Sequence, residues 1–407
     1  MKLAAVGQSL IKRDIGDNDA SAFRRVVDIV KSADIAFTNL EGTIRGTHGG
    51  WPAKSSLVGA APPAVLDALR KIGFGVLSLS NNHAFDLGPN GILSTLEEVS
   101  ARGFVSAGIG RNKTEAALPG IGETAAGKIA LIAMDAGPWP DYWYAKDADA
   151  KAGERPGING LAIESEITVT ASELDILRTI DGDLGHRHLM PKYRKRSGAS
   201  AAAETDVLPF YGLKFRLGEK HEKRGIPKQS DVERHLSAIA KAAEKADFVI
   251  VYVHHHHWEA ELEKTPQWIQ EFAKQCIDAG GHIFVSHGTP FLQGIEIYRG
   301  QPIFYGLGNF IFHSGDPTGW HNDDAWKSVV ATCDFDDRNR LRRIMLDPII
   351  IGGPQALADK NFQNRETPHA VNGKDARLIL EKLSDISAVF KTGITIEESR
   401  GIIDLPL

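Results

Sequence analysis

Cysteine is nearly missing from this chain. Two residues in 407, Cys276 and Cys333, give no disulfide framework and read as buried free thiols, a pattern that suits a reducing, cytoplasmic setting. Long apolar runs are missing too. No stretch of ~18 apolar residues occurs, so no membrane span is expected. The apolar start, Leu3 to Val6, meets Lys12, Arg13 and Asp14 too soon to leave a signal-peptide core. Nor does one charge dominate. Lys plus Arg number 47 against 52 Asp plus Glu, and a net charge of −5 calls for neither nucleic acid nor an anionic membrane as partner. The partner expected is a small-molecule or peptide substrate, with a homo-oligomer left open. Hydrophobic residues at 42% and charged residues at 24% lie near the globular average, which excludes disorder over most of the chain.

What is present is a rhythm. Leu3–Val6, Ile35–Thr38, Val76–Ser80 and Ile129–Met134 read as short buried strands. Helices fall between them at Ala22–Lys31, Pro63–Ile72 and Gly91–Arg102. Apolar runs of this length separated by helices predict an α/β layered sheet. The rhythm stops from Gly137 to Asp231, where a Trp139–Tyr144 aromatic cluster, a basic segment around Arg187, Lys192 and Arg194, and a small-residue run follow one another. So long and loop-rich an insertion (137–231) in a single 1–407 domain is expected to act as a lid. Alternation returns with a helix at Val232–Lys245, the strand Phe248–Val253, a helix at Pro266–Asp278 and the strand His282–Ser286. The tail reads as a helix, Asp375–Ser387, followed by polar loops.

Four of these strands run into chemistry. Ile35–Thr38 is followed by Asn39, Leu40 and Glu41, and Val76–Ser80 by Asn81, Asn82, His83 and then Asp86. Phe248–Val253 is followed by four histidines, His254 to His257, and His282–Ser286 by His287. Ligands bind beyond the carboxyl ends of strands in open α/β sheets. Carboxylate, carboxamide and imidazole groups together suit a divalent metal. Because side chains alternate along a strand, only His254 with His256, or His255 with His257, can share a face.

These motifs, together with the Phe291–Glu296 and Ile303–Phe312 segments, resemble the CapA family of poly-γ-glutamate biosynthesis proteins. The resemblance implies a metallophosphatase-like fold, a four-layer α/β/β/α sandwich of two sheets packed face to face between helices. By position it implies that Glu41, Asn82, His254 and His287 hold metal and that His83, oriented by Asp86, is the acid or base. Two positions depart from the family pattern. An aspartate is expected after the first strand, where this chain has Gln8, and a second histidine is expected near position 290, which is proline. Both would serve one metal of a pair, so one tightly held ion is expected, Mn²⁺ or Zn²⁺, with the second subsite weak or rebuilt by His256 or His257.

A single ion suits polarisation of a carbonyl better than the two-ion clamp of phosphoester chemistry. The activity expected is hydrolysis of an amide or ester of a small carboxylated or peptide-like substrate. Metal-assisted peptide epimerisation and a non-catalytic role in capsule or poly-γ-glutamate assembly are the alternatives. Gln8, Arg187, Lys192, Arg194 and Trp143 are the substrate-binding candidates. The basic group reads equally as a solvated charge run, and Trp143 equally as part of a core cluster.

Overall fold

The computed structural model describes residues 1–54, 59–124, 126–184, 206–313, 322–360 and 365–405. Alternation along the first strands decides the architecture. Leu3, Ala5, Ile35, Phe37 and Val76 enter one core cluster, while Ala4, Ala36 and Leu77 enter another. Each strand therefore buries both faces. Lys2–Ala5, Ile35–Asn39, Val76–Ser78 and Val105–Ala107 run parallel, with Leu3 opposite Ile35 and Phe37 opposite Val76. Lys327–Phe335 and Leu341–Ile351 extend this sheet antiparallel on the other side.

A second sheet is ordered Ile295–Tyr298, Gln301–Phe304, Ile283–His287, Phe248–His254, Gly127–Asp135 and Gly120–Thr124. Its three central strands are parallel. Leu131, Ile250, Tyr252 and Val285 share a core with Leu3, Ala5 and Phe37, and the rings of Phe37 and Tyr252 lie 5.6 Å apart. The two sheets thus pack face to face. Helices Ser21–Lys31, Ala64–Ile72 and Gly88–Ala101 bury Val26, Leu66 and Ile92 on the outer side of the first sheet. Helices Gln229–Ala243 and Gln267–Asp278 pack beside the central strands of the second. This is the four-layer sandwich anticipated from the sequence. Cys276 and Cys333 are both buried and free, as expected. Among the described residues no helix is long and apolar enough to cross a membrane.

Two stretches differ from their expected form. The first is the insertion. The chain divides into one unit made of Met1–Ala162 and Gln229–Leu407 and another made of Ile163–Lys228. The aromatic cluster at 139–144 therefore belongs to the larger unit. The smaller one has regular structure of its own: strands Val207–Phe210, Leu213–Leu217, Ile163–Val169 and Glu222–Pro227 form a sheet in that order. Helix Ala171–Asp183, with a Thr170–Glu173 capping box, packs Leu174 against Val169 and Leu208. Three of its four strands are broken up by charged residues, which hides them from a reading based on apolar runs. The second stretch is the tail. Beyond the helix Gly373–Ala388, Thr395–Glu397 and Arg400–Asp404 are strands rather than polar loops, and Arg400–Asp404 pairs with Leu341–Ile351 at the edge of the first sheet.

Candidate functional site

Period two carries the second sheet's apolar rows into polar ends. Ile129, Leu131 and Ala133 lead to Asp135; Phe248, Ile250 and Tyr252 lead to His254; Ile283 and Val285 lead to His287. Asp135 is the register partner of His254, and His254 of His287, so three polar side chains stand abreast where the space between the sheets ends. All three are essentially inaccessible, at 0%, 0% and 1% exposure. The Tyr252 hydroxyl lies 3.4 Å from His254 Nδ1, and its ring lies 5.5 Å from that of His287.

The same parity sorts the four histidines. His255 and His257 turn toward Trp268 on the outer helix, with ring centroids at 5.2 and 6.0 Å. His256 lies 5.2 Å from His254 and is held between Trp139 and Trp258. The pair on the site side is His254 with His256. Gly288, at φ +128°, lets the chain leave His287 against the backbone of His255; a Cβ there would meet the His255 carbonyl oxygen at 1.8 Å.

From the first sheet come Glu41, Asn82 and His83, all buried. Glu41 follows the Ile35–Asn39 strand, and its backbone N–H donates to the Ser9 carbonyl at 3.0 Å. Asn81 fixes the next turn by donating to the Leu40 carbonyl at 2.7 Å and accepting from the His83 N–H at 3.0 Å. His83 Nδ1 donates to Asp86 Oδ2 at 2.6 Å, which leaves Nε2 to exchange a proton with a substrate. Asp86 is held in turn by the Gly59 N–H at 2.6 Å and by Lys54 Nζ at 2.9 Å. Lys54 also donates to the Asn82 carbonyl and lies 4.9 Å from the centre of the Trp143 ring. Gly59 packs directly on His83, where a Cβ would stand 2.8 Å from that of the histidine.

Several of these groups end without a protein partner although buried: Gln8 Oε1, Glu41 Oε2, Asn82 Oδ1, Asp135 Oδ2, His254 Nε2, His256 Nε2 and both ring nitrogens of His287. Each such atom costs about 1–3 kcal/mol. For these eight atoms that is about 8–24 kcal/mol, as large as a whole domain's stability of about 5–15 kcal/mol. That many unpartnered polar atoms beyond the strand ends call for something to receive them. Oxygen and imidazole donors fit a divalent cation. The fit is of kind and place rather than finished geometry: among the described residues, no three His, Cys, Asp or Glu side chains are drawn close enough to hold an ion as they stand.

The electrostatics agree with a cation-seeking pit. Burial pushes Glu41 up to about 8, with Lys54 and Lys12 opposing the rise and Asp86 adding to it. Burial likewise pushes Asp135 up to about 7, against Trp139, the Tyr144 hydroxyl and the Gly137 N–H. Burial holds His254 and His256 well below the ordinary imidazole range and His287 at about 3, so these rings are neutral, the form that ligates metal. Burial also lowers His83, against its hydrogen bond to Asp86. Burial alone would raise Asp86, but His83, Lys54 and Gly59 together hold it below the usual carboxylate range.

These shifts set a pH window. Glu41 and Asp135 bind protons more tightly folded than unfolded, so stability from them is lost as pH rises toward about 7 and 8. The depressed histidines act in the opposite sense, but only below their unfolded value of about 6.5. Metal-free protein is therefore expected to melt at progressively lower temperature between about pH 6.5 and 8.5. The rise in melting temperature on adding Mn²⁺ should grow over the same interval. Thermal shift at a series of pH values checks both, and a flat metal-free profile would rule out protonated Glu41 and Asp135.

The sequence reading singled out neither Lys54 nor Lys12, because a lone lysine in a loop carries no pattern. It also passed over Asp135, although a carboxylate ending an apolar period-two row was a visible signal. Trp143 is 5% exposed and stacks on Trp139 and Phe85, with Lys54 over its face. Gln8 donates from Nε2 to Asn309 Oδ1 at 3.0 Å. Arg187, Lys192 and Arg194 lie outside the described residues.

A sequence profile of the bacterial capsule synthesis protein PGA_cap family matches residues 2–314. The chain belongs to this family. The PGA_cap match takes in every strand end of the site and all of the smaller unit. A Sinorhizobium fredii protein designated y4sH is 28% identical over 451 residues, covering 99% of this chain and 93% of its own. The capsule biosynthesis protein CapA of Bacillus anthracis is 24% identical over 72% of this chain, which spans about half (54%) of that relative. The PGA biosynthesis protein CapA of Bacillus subtilis is 39% identical over 87 residues. Among solved structures, a Haemophilus influenzae NAD nucleotidase aligns with 95% of this chain and 56% of its own, at a TM-score of 0.32 and 11% identity.

Proposed function

We propose that this PGA_cap protein is a metal-dependent hydrolase acting on an amide or ester of a small carboxylated or peptide-like substrate. The observation that carries the reading is the set of buried donor atoms without protein partners where the two sheets meet. Glu41, Asn82, His254 and His287 would hold Mn²⁺ or Zn²⁺, with His256 beside them. A bound ion of this kind supplies a water acidified toward neutrality and polarises a carbonyl oxygen.

The chain's own residues do the rest. Asp86, kept ionised by Lys54 and Gly59, fixes the His83 ring with Nδ1 as donor, so Nε2 first takes a proton and then returns it to the leaving group. Trp139 and Trp258 hold His256 from two sides and limit its movement. Gln8 in place of a carboxylate argues for one tightly held ion rather than a phosphoester clamp.

The test has two stages. Purified protein is expected to carry close to one equivalent of Mn²⁺ or Zn²⁺ by elemental analysis, or to gain melting temperature when either is added. If it does neither, the enzymatic reading fails and a non-catalytic role in capsule assembly takes its place. Loaded protein is then screened against amides, esters and phosphoesters in deuterated water. New carboxyl and amine or alcohol groups mean hydrolysis, and label at an α-carbon without cleavage means epimerisation. Phosphoester turnover exceeding all others would sink the single-ion argument.

A further inference from the structure

We infer that Asp135 supplies a second negative charge to the tightly held cation, beside the first from Glu41. The inference rests on the metal-binding reading above and extends it to a residue outside the family's motif positions.

The argument begins with placement. Asp135 ends the inward row of Ile129, Leu131 and Ala133, and its register partner is His254, which is paired in turn with His287. Neighbouring residues of parallel strands put their side chains on the same face, so the carboxylate and the two imidazoles point into one space. Asp135 is 0% exposed. One oxygen is engaged: Oδ1 accepts from the Gly137 N–H at 2.9 Å and from the Tyr144 hydroxyl at 3.1 Å. The other, Oδ2, accepts no hydrogen bond of ordinary geometry, although the Trp139 indole lies near enough to oppose the rise in the carboxyl's pKa.

Charge supplies the rest. A divalent ion held by Glu41, one carboxamide and neutral imidazoles would leave a net positive charge in a buried pit. Buried charge persists only when it is balanced nearby. Gln8 contributes none, and its Nε2 is already committed to Asn309. Lys54 and the His83 ring occupy Asp86. Asp135 is the remaining buried carboxylate abreast of the candidate ligands, and with Glu41 it brings the site to neutrality.

The competing account makes Asp135 a structural hub that merely holds the Gly137–Tyr144 turn. Asp135→Asn separates the two, because the amide keeps an oxygen for Gly137 and Tyr144 but removes the charge. Mn²⁺ affinity is measured by chelator competition on full-length protein stripped of metal, with metal-free melting temperature as the folding control. Asp135→Asn is expected to weaken Mn²⁺ binding roughly 10–100-fold without lowering that melting temperature. Asp135→Ser is measured alongside, so that a folding failure of one variant still leaves a result. Tyr144→Phe, which loosens the turn but keeps the charge, should bind Mn²⁺ like the wild type. Should Asp135→Asn bind as tightly as the wild type while Glu41→Gln loses the ion, the inference falls and the metal site stands. Equal losses in Asp135→Asn and Tyr144→Phe would favour the hub and overturn it as well. If the wild type takes up no Mn²⁺ or Zn²⁺, the underlying reading fails and this inference goes with it.

Discussion

Replacing His254 with alanine is expected to weaken Mn²⁺ binding by at least ~100-fold, beyond the range typical of residues that only orient a ligand. His255→Ala, one residue away, should leave that affinity within a few-fold of wild type. The contrast follows from strand parity. His254 is wholly buried, its Nε2 has no protein partner, and its sheet neighbours are Asp135 and His287. His255 faces the opposite way, 5.2 Å from the Trp268 ring. Its loss should show as a lowered melting temperature, because a buried aromatic contact is removed while the inward row is untouched. Calorimetric titration of both variants with Mn²⁺ decides the matter. Equal losses of affinity would mean that the histidine run binds without regard to face, and the assignment of His254 would fail.

The second large effect concerns proton transfer. With His83→Asn, turnover of whatever substrate the screen identifies should drop about 10²–10⁴-fold while Mn²⁺ affinity stays near wild type. The imidazole is held by Asp86 on one side only, and asparagine can keep that hydrogen bond but cannot exchange a proton. Asp86→Asn should fall in the same direction, with the pH profile altered, because the neutral amide no longer fixes Nδ1 as the donor. Steady-state rates with saturating metal measure both. Undiminished turnover in His83→Asn would place the acid–base group elsewhere.

The layered α/β sheet was legible because buried parallel strands announce themselves as apolar runs, Phe248–Val253 being nearly the purest case, whereas the pairing of two sheets face to face followed from the family resemblance. Glu41, Asn82, His83, His254 and His287 were legible because each directly follows such a run, where chemistry concentrates in sheets of this kind. The strands of Ile163–Lys228 were not: Leu213–Leu217 alternates apolar with basic residues and Glu222–Pro227 opens on three charges, so neither shows a continuous apolar run, and the unit leans on a small core around Leu174. Arg400–Asp404 escaped for a related reason, since a five-residue strand that buries only Gly401 and Ile403 has little apolar content to display. Lys54 was beyond reach. Its partners, Asp86 and the Asn82 carbonyl, lie about thirty residues away and are brought to it only by the fold. Parity could have settled the histidine run in advance. Counting from Phe248 in steps of two lands on His254 and extends to His256, and Trp268, the neighbour of His255 and His257, sits on a helix whose position the sequence did not fix.

The row that ends in His254 also has a consequence for how this protein tolerates change. Donor atoms and interior packing are indexed by one ruler, the pleat of the Phe248–His254 strand. Deleting Val249, with Phe248 held in register, would present His255 to the cleft and at the same stroke turn Ile250 and Tyr252 away from the core they share with Phe37. Such an error is self-reporting: a chain able to close its interior has, by that fact, already aimed its imidazoles.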